Sequence, residues 1–344
     1  MKRPQATVSL FKAPWWLPEG HSQTLWRKFS PAPKAGLLRR QRQRIELADG
    51  DFIDLDWAAG VSDPDGDPQH MAGLPIVLIL HGLCGCSNSP YVLSLQQLLS
   101  QRGYHSAAMN LRSCSGEPNR LARAYHSGNS DDLEEVFTKL RSDFPDGKFA
   151  LIGFSLGANV MLKWLGENPR PQLVLGAVAV STPFSLALCS STMNAGLSRI
   201  YGRYFLQGLL SGVRSKQQLF AQQGNTEELK KLHALGSLDK LSTLWEFDDR
   251  VTAPLHGFRD ARDYYQRSSS QNFLGAIQSD TLMIHSINDP IIPPQAIPDA
   301  RSLPEQIQLE VMSAGGHVGF AAAGQSCWLE HRILRYIELL RPFG

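Results

Sequence analysis

Residues Gly153-Phe154-Ser155-Leu156-Gly157 lie between a short apolar run, Phe149-Ala150-Leu151-Ile152, and a helix-like stretch from Ala158 to Glu167. A serine with glycines two positions to either side, at a strand-to-helix junction, is the pattern of a nucleophile elbow. The glycines let the turn close and the serine oxygen project clear of the sheet, while the helix beginning there aims N–H groups at developing negative charge. A serine hydroxyl is a weak nucleophile at neutral pH and needs an adjacent base, itself oriented by an acid. In this arrangement the acid follows a late strand and the histidine follows the last one. Asp289, in Ile287-Asn288-Asp289-Pro290-Ile291-Ile292-Pro293, follows the strand-like run Thr281 to His285. His317, in Gly315-Gly316-His317-Val318-Gly319-Phe320, follows the run Ile307 to Met312. Asn288 carries no charge to stabilise an imidazolium, and Asp280 precedes its strand at the wrong end. Asp248 and Asp249 are rival acids, but their place at the junction of a helical insertion suits a structural role better.

An oxyanion hole needs a second N–H beside the one that follows the serine. The Gly-rich turn His81-Gly82-Leu83-Cys84-Gly85, directly after the first parallel strand, is its expected source, which assigns the N–H groups of Leu83 and Leu156. His81 reads as a brace for that turn rather than a proton carrier. No His-Glu-x-x-His, Cys-x-x-Cys pair or calcium-type carboxylate ladder is present in the sequence, and no Walker or dinucleotide glycine loop. No metal and no cofactor is expected.

These residues must be held by a particular set of elements. Arg44 to Leu47 and Phe52 to Trp57 alternate around an Asp49-Gly50 turn, the signature of a β-hairpin. Ile76 to Leu80 is short and wholly apolar, as a strand covered on both faces should be. Strands are expected at 106–111, 149–152, 173–180, 281–285 and 307–312, with helices at 91–101, 131–140, 158–167 and 328–340. That alternation predicts an α/β architecture: a mostly parallel, doubly wound sheet with the antiparallel hairpin at one edge. About a hundred residues between the strands at 173–180 and 281–285 carry no strand pattern, and 186–245 read as helical. The division expected is an N-terminal arm (1–40) packed on the core, a core of 41–182 and 270–344, and a helical lid inserted at 183–269.

Composition sets the broad class. A chain of 344 residues with 42% hydrophobic and 19% charged residues can bury a full core. A net charge of +2 gives no reason to expect a nucleic-acid partner. The basic run Arg39 to Arg44 reads as a solvated face leading into the first strand. Five cysteines are few and odd in number, as for reduced thiols of a cytosolic protein. Cys84-Gly85-Cys86, the one close pair, reads as part of the turn rather than a redox site. No apolar run approaches the roughly 20 residues that span a bilayer. No apolar leader core follows Met1-Lys2-Arg3-Pro4-Gln5. A cytoplasmic location is expected, with peripheral membrane contact left open and no oligomeric state indicated.

Several further segments carry a resemblance: Gly20-His21-Ser22-Gln23-Thr24-Leu25, Asn110-Leu111-Arg112-Ser113-Cys114-Ser115-Gly116-Glu117-Pro118-Asn119, Tyr125-His126-Ser127-Gly128 and Glu246-Phe247-Asp248-Asp249, with the glycine-flanked His317. Together they are far more specific than the elbow. From about Pro14 to Phe320 the chain resembles the AB hydrolase 4 group, the YheT-like hydrolases of the α/β-hydrolase superfamily. The resemblance implies the α/β-hydrolase fold and a triad of Ser155, Asp289 and His317. It departs from the family pattern at Cys84 and Cys86, at Asn288, where a further aspartate is common, and at Ser113, which replaces a frequent glycine. Arg112 and His126 have no role derivable from sequence: bracing the loop is expected, with binding of a polar substrate group the alternative.

The activity expected is that of a serine carboxylic-ester hydrolase, an esterase or lipase of lipid metabolism working through an acyl-enzyme on short- to medium-chain acyl esters. Apolar residues of the insertion, Phe184, Leu186, Leu188, Tyr204 and Phe205, are the expected substrate-binding set. An acyltransferase with the same triad, passing the acyl group to an alcohol, is the first alternative. A non-catalytic binding protein is the second.

Overall fold

The computed structural model describes residues 11–29, 38–60, 74–324 and 327–340. Met1 to Leu10, part of the expected N-terminal arm, lie outside the described residues, as does the basic start of the chain. Eight strands form one sheet: β1 (Arg40–Glu46), β2 (Phe52–Ala58), β3 (Ile76–Leu80), β4 (Ser106–Asn110), β5 (Phe149–Phe154), β6 (Val174–Val180), β7 (Thr281–Ser286) and β8 (Ile307–Met312). Their spatial order is β1-β2-β4-β3-β5-β6-β7-β8. The hairpin β1–β2 and the β2–β4 pair are antiparallel, and every other neighbour pair is parallel.

Alternation along the buried strands divides the core between two faces. Leu78, Leu80 and Leu151 face helices α3 (Ser130–Asp143) and α4 (Leu156–Glu167) through Val136, Phe137 and Trp164. Val77, Ile79 and Ile152 face α2 (Pro90–Gln101) and α11 (Trp328–Leu339) through Leu95, Leu99 and Ile333. A further helix, α1 (Gly20–Phe29), precedes the sheet. Between β6 and β7 the chain forms α5 (Leu186–Thr192), α6 (Arg199–Gln223), α7 (Thr226–His233), α8 (Leu244–Phe247), α9 (Ala253–His256) and α10 (Ala261–Ser268), with one π-helical stretch at Asp248–Thr252. This insertion has its own apolar core, in which Leu206, Leu210, Phe220 and Phe247 pack with Ile291 and Ile292 from the loop after β7.

The basic run is not a simple solvated face. It begins β1, and cross-strand register sets Arg42 opposite Asp56 and Arg44 opposite Asp54. Both pairs are bidentate, with N···O distances of 2.8–2.9 Å. Arg112 also turns out to be a brace. It is 2% exposed and donates to Asp132 on α3 at 2.6 and 2.7 Å, and to Asp49 and Asp51 of the hairpin turn at 2.7 and 2.9 Å. One guanidinium thus ties the loop after β4 to the hairpin and to α3. Next to it Ser113 has φ 66°, which accounts for the glycine favoured there in the family pattern.

Removing this guanidinium would strand buried carboxylates. We expect Arg112→Met to cost ~3–5 kcal/mol of unfolding free energy in urea titrations. A loss under about 1 kcal/mol, the worth of an exposed ion pair, would rule out the bracing role.

Candidate active site

Ser155 sits between β5 and α4 with φ 51° and ψ −119°, outside the ordinary helix and strand regions. The strain persists because the neighbouring chain leaves no room to relax. A Cβ on Gly153 would lie 2.4 Å from Ala158 Cα, and one on Gly157 would lie 2.4 Å from the carbonyl oxygen of His81. The Ser155 N–H is also held, donating to the carbonyl of Val180 at 2.8 Å. Its Oγ lies 2.8 Å from His317 Nε2, and His317 Nδ1 lies 2.8 Å from Asp289 Oδ2. With Nδ1–H donating to the carboxylate, Nε2 is left to accept the serine proton.

The Asp289 side chain is fully buried. Desolvation opposes its charge, but His317 and the N–H groups of Ile291 (2.8 Å) and Ile292 (3.0 Å) outweigh it, so its pKa lies below the ordinary value. The rivals are spent elsewhere. Asp248 accepts from Tyr265 Oη and Thr252 Oγ1, both at 2.7 Å, and Asp249 accepts from the N–H of Ala261 at 3.0 Å.

The turn after β3 lies against the serine: a Cβ on Gly82 would be 3.1 Å from Ser155 Cβ. The N–H of Gly82 is taken by Tyr91 Oη and that of Cys84 by Tyr125 Oη, each at 3.0 Å. Leu83, between them, borders the same cavity as Ser155 and Leu156. His81 braces this turn. Its Nε2 accepts the N–H of Leu111 at 3.1 Å, which leaves Nδ1–H to donate to the carbonyl of Gly82 at 2.8 Å. Burial pulls its pKa down to about 4, so the ring is neutral. Burial also pushes the thiol of Cys114 up, away from a reactive thiolate. No cluster of three or more His, Cys, Asp or Glu side chains fit for a metal is found among the described residues.

A mostly apolar cavity of about 100 Å³ opens beside Ser155. Of the five expected substrate-binding residues, Leu186 and Phe205 border it. Phe184, Leu188 and Tyr204 do not, and that expectation is corrected. Phe184 precedes α5 and is buried in the sheet's own core. Leu188 and Tyr204 point outward, 41% and 54% exposed. Helix geometry gives the reason: on α5 the inner face is Leu186, Cys189, Ser190 and Met193, spaced i, i+3, i+4, i+7, and Leu188 falls off it. On α6 the inner pair is Phe205 and Leu209. His126 also borders the cavity, against His256 and Tyr264, and burial holds it well below its ordinary pKa and so neutral.

Three anchoring residues were not singled out by spacing. Thr24 Oγ1 accepts the N–H of His317 at 2.8 Å, Gln23 bonds both N–H and carbonyl of Ala321, and Asn288 Oδ1 accepts the N–H of Gly316 at 3.1 Å. For Thr24 and Gln23 the available signal was the segment Gly20 to Leu25, matched by resemblance but without a chemical role until its neighbours are seen.

The chain belongs to the α/β-hydrolase fold family, whose model matches residues 75–322, and within it to the AB hydrolase 4 group. It is 39% identical to the putative esterase YheT of Escherichia coli (strain K12), over 85% of this chain and 82% of that one. It is 28% identical to phospholipase ABHD3 of Homo sapiens, over 96% and 78% of the two chains. It is 29% identical to a monoacylglycerol lipase of Saccharomyces cerevisiae, over 77% and 59%. Among solved structures the Pyrococcus furiosus esterase Pf2001 superposes with a TM-score of 0.56 at 17% identity, over 90% of this chain and 94% of that one, a likeness of fold. No helix among the described residues is long and apolar enough to cross a membrane.

Asp248 supplies a pH test of the cavity wall. Burial raises its carboxyl to about 6, against the bonds from Tyr265 and Thr252. An unfolded aspartate titrates near ~4. A raised folded pKa contributes stability below the unfolded value that is lost as pH rises through the folded one. Between about pH 4 and 6 the wild type should therefore lose stability relative to Asp248→Asn. Urea midpoints measured against pH should converge upward in acid and separate toward neutrality; parallel profiles would mean that Asp248 is solvated.

Proposed function

We propose that this protein is a serine carboxylic-ester hydrolase acting on short- to medium-chain acyl esters. The observation that carries the reading is the run of two 2.8 Å contacts, Ser155 Oγ to His317 Nε2 and His317 Nδ1 to Asp289 Oδ2, with Ser155 itself on the border of an apolar cavity. The relatives named esterase, phospholipase and monoacylglycerol lipase support ester substrates.

The reaction begins as Ser155 Oγ attacks the ester carbonyl carbon and its proton passes to His317 Nε2. The carbonyl oxygen becomes an oxyanion facing the N–H groups of Leu83 and Leu156, the second at the N-terminus of α4. Asp289 holds the ring in the tautomer that can accept this proton and stabilises the imidazolium. Collapse of the tetrahedral intermediate breaks the bond to the leaving oxygen, which takes the proton from Nε2 and departs as an alcohol. A water then gives its proton to Nε2 and attacks the acyl group on Ser155, and a second collapse returns the proton to Oγ and releases the acid. The bordering apolar groups, Leu186, Met193, Phe205 and Leu209, favour an acyl chain over a charged group. In this reading the helical insertion at 183–269 is a lid that supplies most of that wall.

Hydrolysis of p-nitrophenyl butyrate by wild type and Ser155→Ala tests the assignment. Loss of the nucleophile should lower kcat on the order of 10⁴- to 10⁶-fold. Retained hydrolysis in the alanine variant would refute Ser155 as nucleophile. Alcohol added to the assay separates the acyltransferase alternative, which requires ester formation to outrun hydrolysis.

A further inference from the structure

A second cavity, of about 470 Å³, lies behind the turn after β3. It is bordered by Cys84 and Cys86 of that turn, Cys114 of the loop after β4, Gly208 and Gly212 of α6, and Leu255 of α9. Tyr125, Leu209, Phe247 and Thr252 border both cavities, so the two chambers share one wall. Ser155 and Leu156 border the first chamber and not the second. We propose that the second chamber is an acyl-chain subsite, which receives the distal part of a medium-chain acyl group after it has passed Tyr125. The proposal rests on the ester-hydrolase reading and extends it to the substrate class.

Size is the first argument. The chamber at Ser155 is smaller than the roughly 300–1,000 Å³ of an ordinary ligand pocket, and the second chamber lies within that range. The chemistry of the walls is the second. Among the described residues the second lining carries two cationic side chains, Lys216 and Arg42, and both are already engaged. Lys216 Nζ donates to Asn119 Oδ1 and to the carbonyls of Ala122 and Arg123, all at 2.9 Å. Arg42 is held by Asp56 and the carbonyl of Ser115. Burial keeps His256 neutral, with a pKa lowered to about 3. A lining whose cations are already taken up by protein partners suits a hydrocarbon chain better than an anionic headgroup.

Direction is the third argument. The leaving alcohol takes its proton from His317 Nε2, and His317 borders neither chamber. The branch of the ester that extends into the chambers is therefore the acyl group. The α6 helix is shaped to leave this space. Gly208 lets it approach the turn, since a Cβ there would meet Cys84 Sγ at 3.0 Å. One helical turn later Gly212, a solvent-exposed position on the chamber's border, has room for a side chain: a Cβ there would meet nothing within 4 Å.

Gly212→Phe sets a ring on the border of the second chamber, away from the serine, and replacing a mid-helix glycine favours the helix. Leu255→Trp fills it from another element. For wild type and both variants, kcat/KM would be measured on p-nitrophenyl acetate, butyrate, octanoate and dodecanoate. The ratio of octanoate or dodecanoate to acetate should fall about tenfold or more in each variant, given what excluded methylenes are worth in an apolar pocket. A ratio unchanged in both variants, whether the absolute rates hold or fall together, overturns the subsite. That failure is distinct from failure of the underlying reading: hydrolysis that depends on Ser155 but shows the same chain-length profile in all three proteins rejects the subsite alone. Hydrolysis that survives Ser155→Ala rejects the reaction assignment.

Discussion

The backbone of one residue organises this molecule. Ser155 is held at φ 51° and ψ −119° between β5 and α4, and a non-glycine residue there costs on the order of 1–3 kcal/mol. The conformation survives because the surroundings over-determine it. Two glycines allow Ala158 and His81 to close on the turn, the Ser155 N–H is tied to β6, and both faces of β5 are buried beneath helices. A hydroxyl fixed in this way points at a single place, and the remaining groups have to be delivered to it.

Delivery is done by short loops whose backbone is bonded to other segments. Asp289 is fixed by the N–H groups of its own loop, and Asn288 beside it reaches the loop of His317 through Gly316. The N-terminal helix closes the arrangement from outside, with Thr24 on the N–H of His317 and Gln23 on Ala321. The loop after β7 and the N-terminal helix thus both hold the loop of one imidazole, which is how a ring on a Gly-rich loop keeps a hydrogen-bonding geometry at both nitrogens. Around it, burial keeps the other histidines of the region, His81, His126 and His256, neutral. These rings therefore add no positive charge to the apolar space beside the serine.

The insertion between β6 and β7 sets the shape of that space. Its helices pack on a core of their own that includes Ile291 and Ile292, next to Asp289, so the cavity wall and the acid loop share one apolar cluster. Changes in the packing of α6 would be felt at both. The π-helical stretch beginning at Asp248 brings a buried carboxyl, Thr252 and Val251 into line with this wall, a local irregularity of the kind often found beside functional sites.

What the sequence by itself determined was local and periodic. Elbow glycines and apolar strand runs are short-range patterns, set by backbone sterics and burial. The hairpin, the parallel sheet and the helical character of 186–245 were legible for the same reason. The tertiary structure alone decided which side chains share a space. Leu186 and Phe205 face the cavity while Leu188 and Tyr204 face solvent, because the rotation of each helix about its axis is set by what packs on its other side. The partners of Arg112 and the hold of Thr24 and Gln23 on the histidine loop were equally hidden. Contacts between residues far apart in the chain leave no periodic trace, since any segment of the right shape and polarity can supply them.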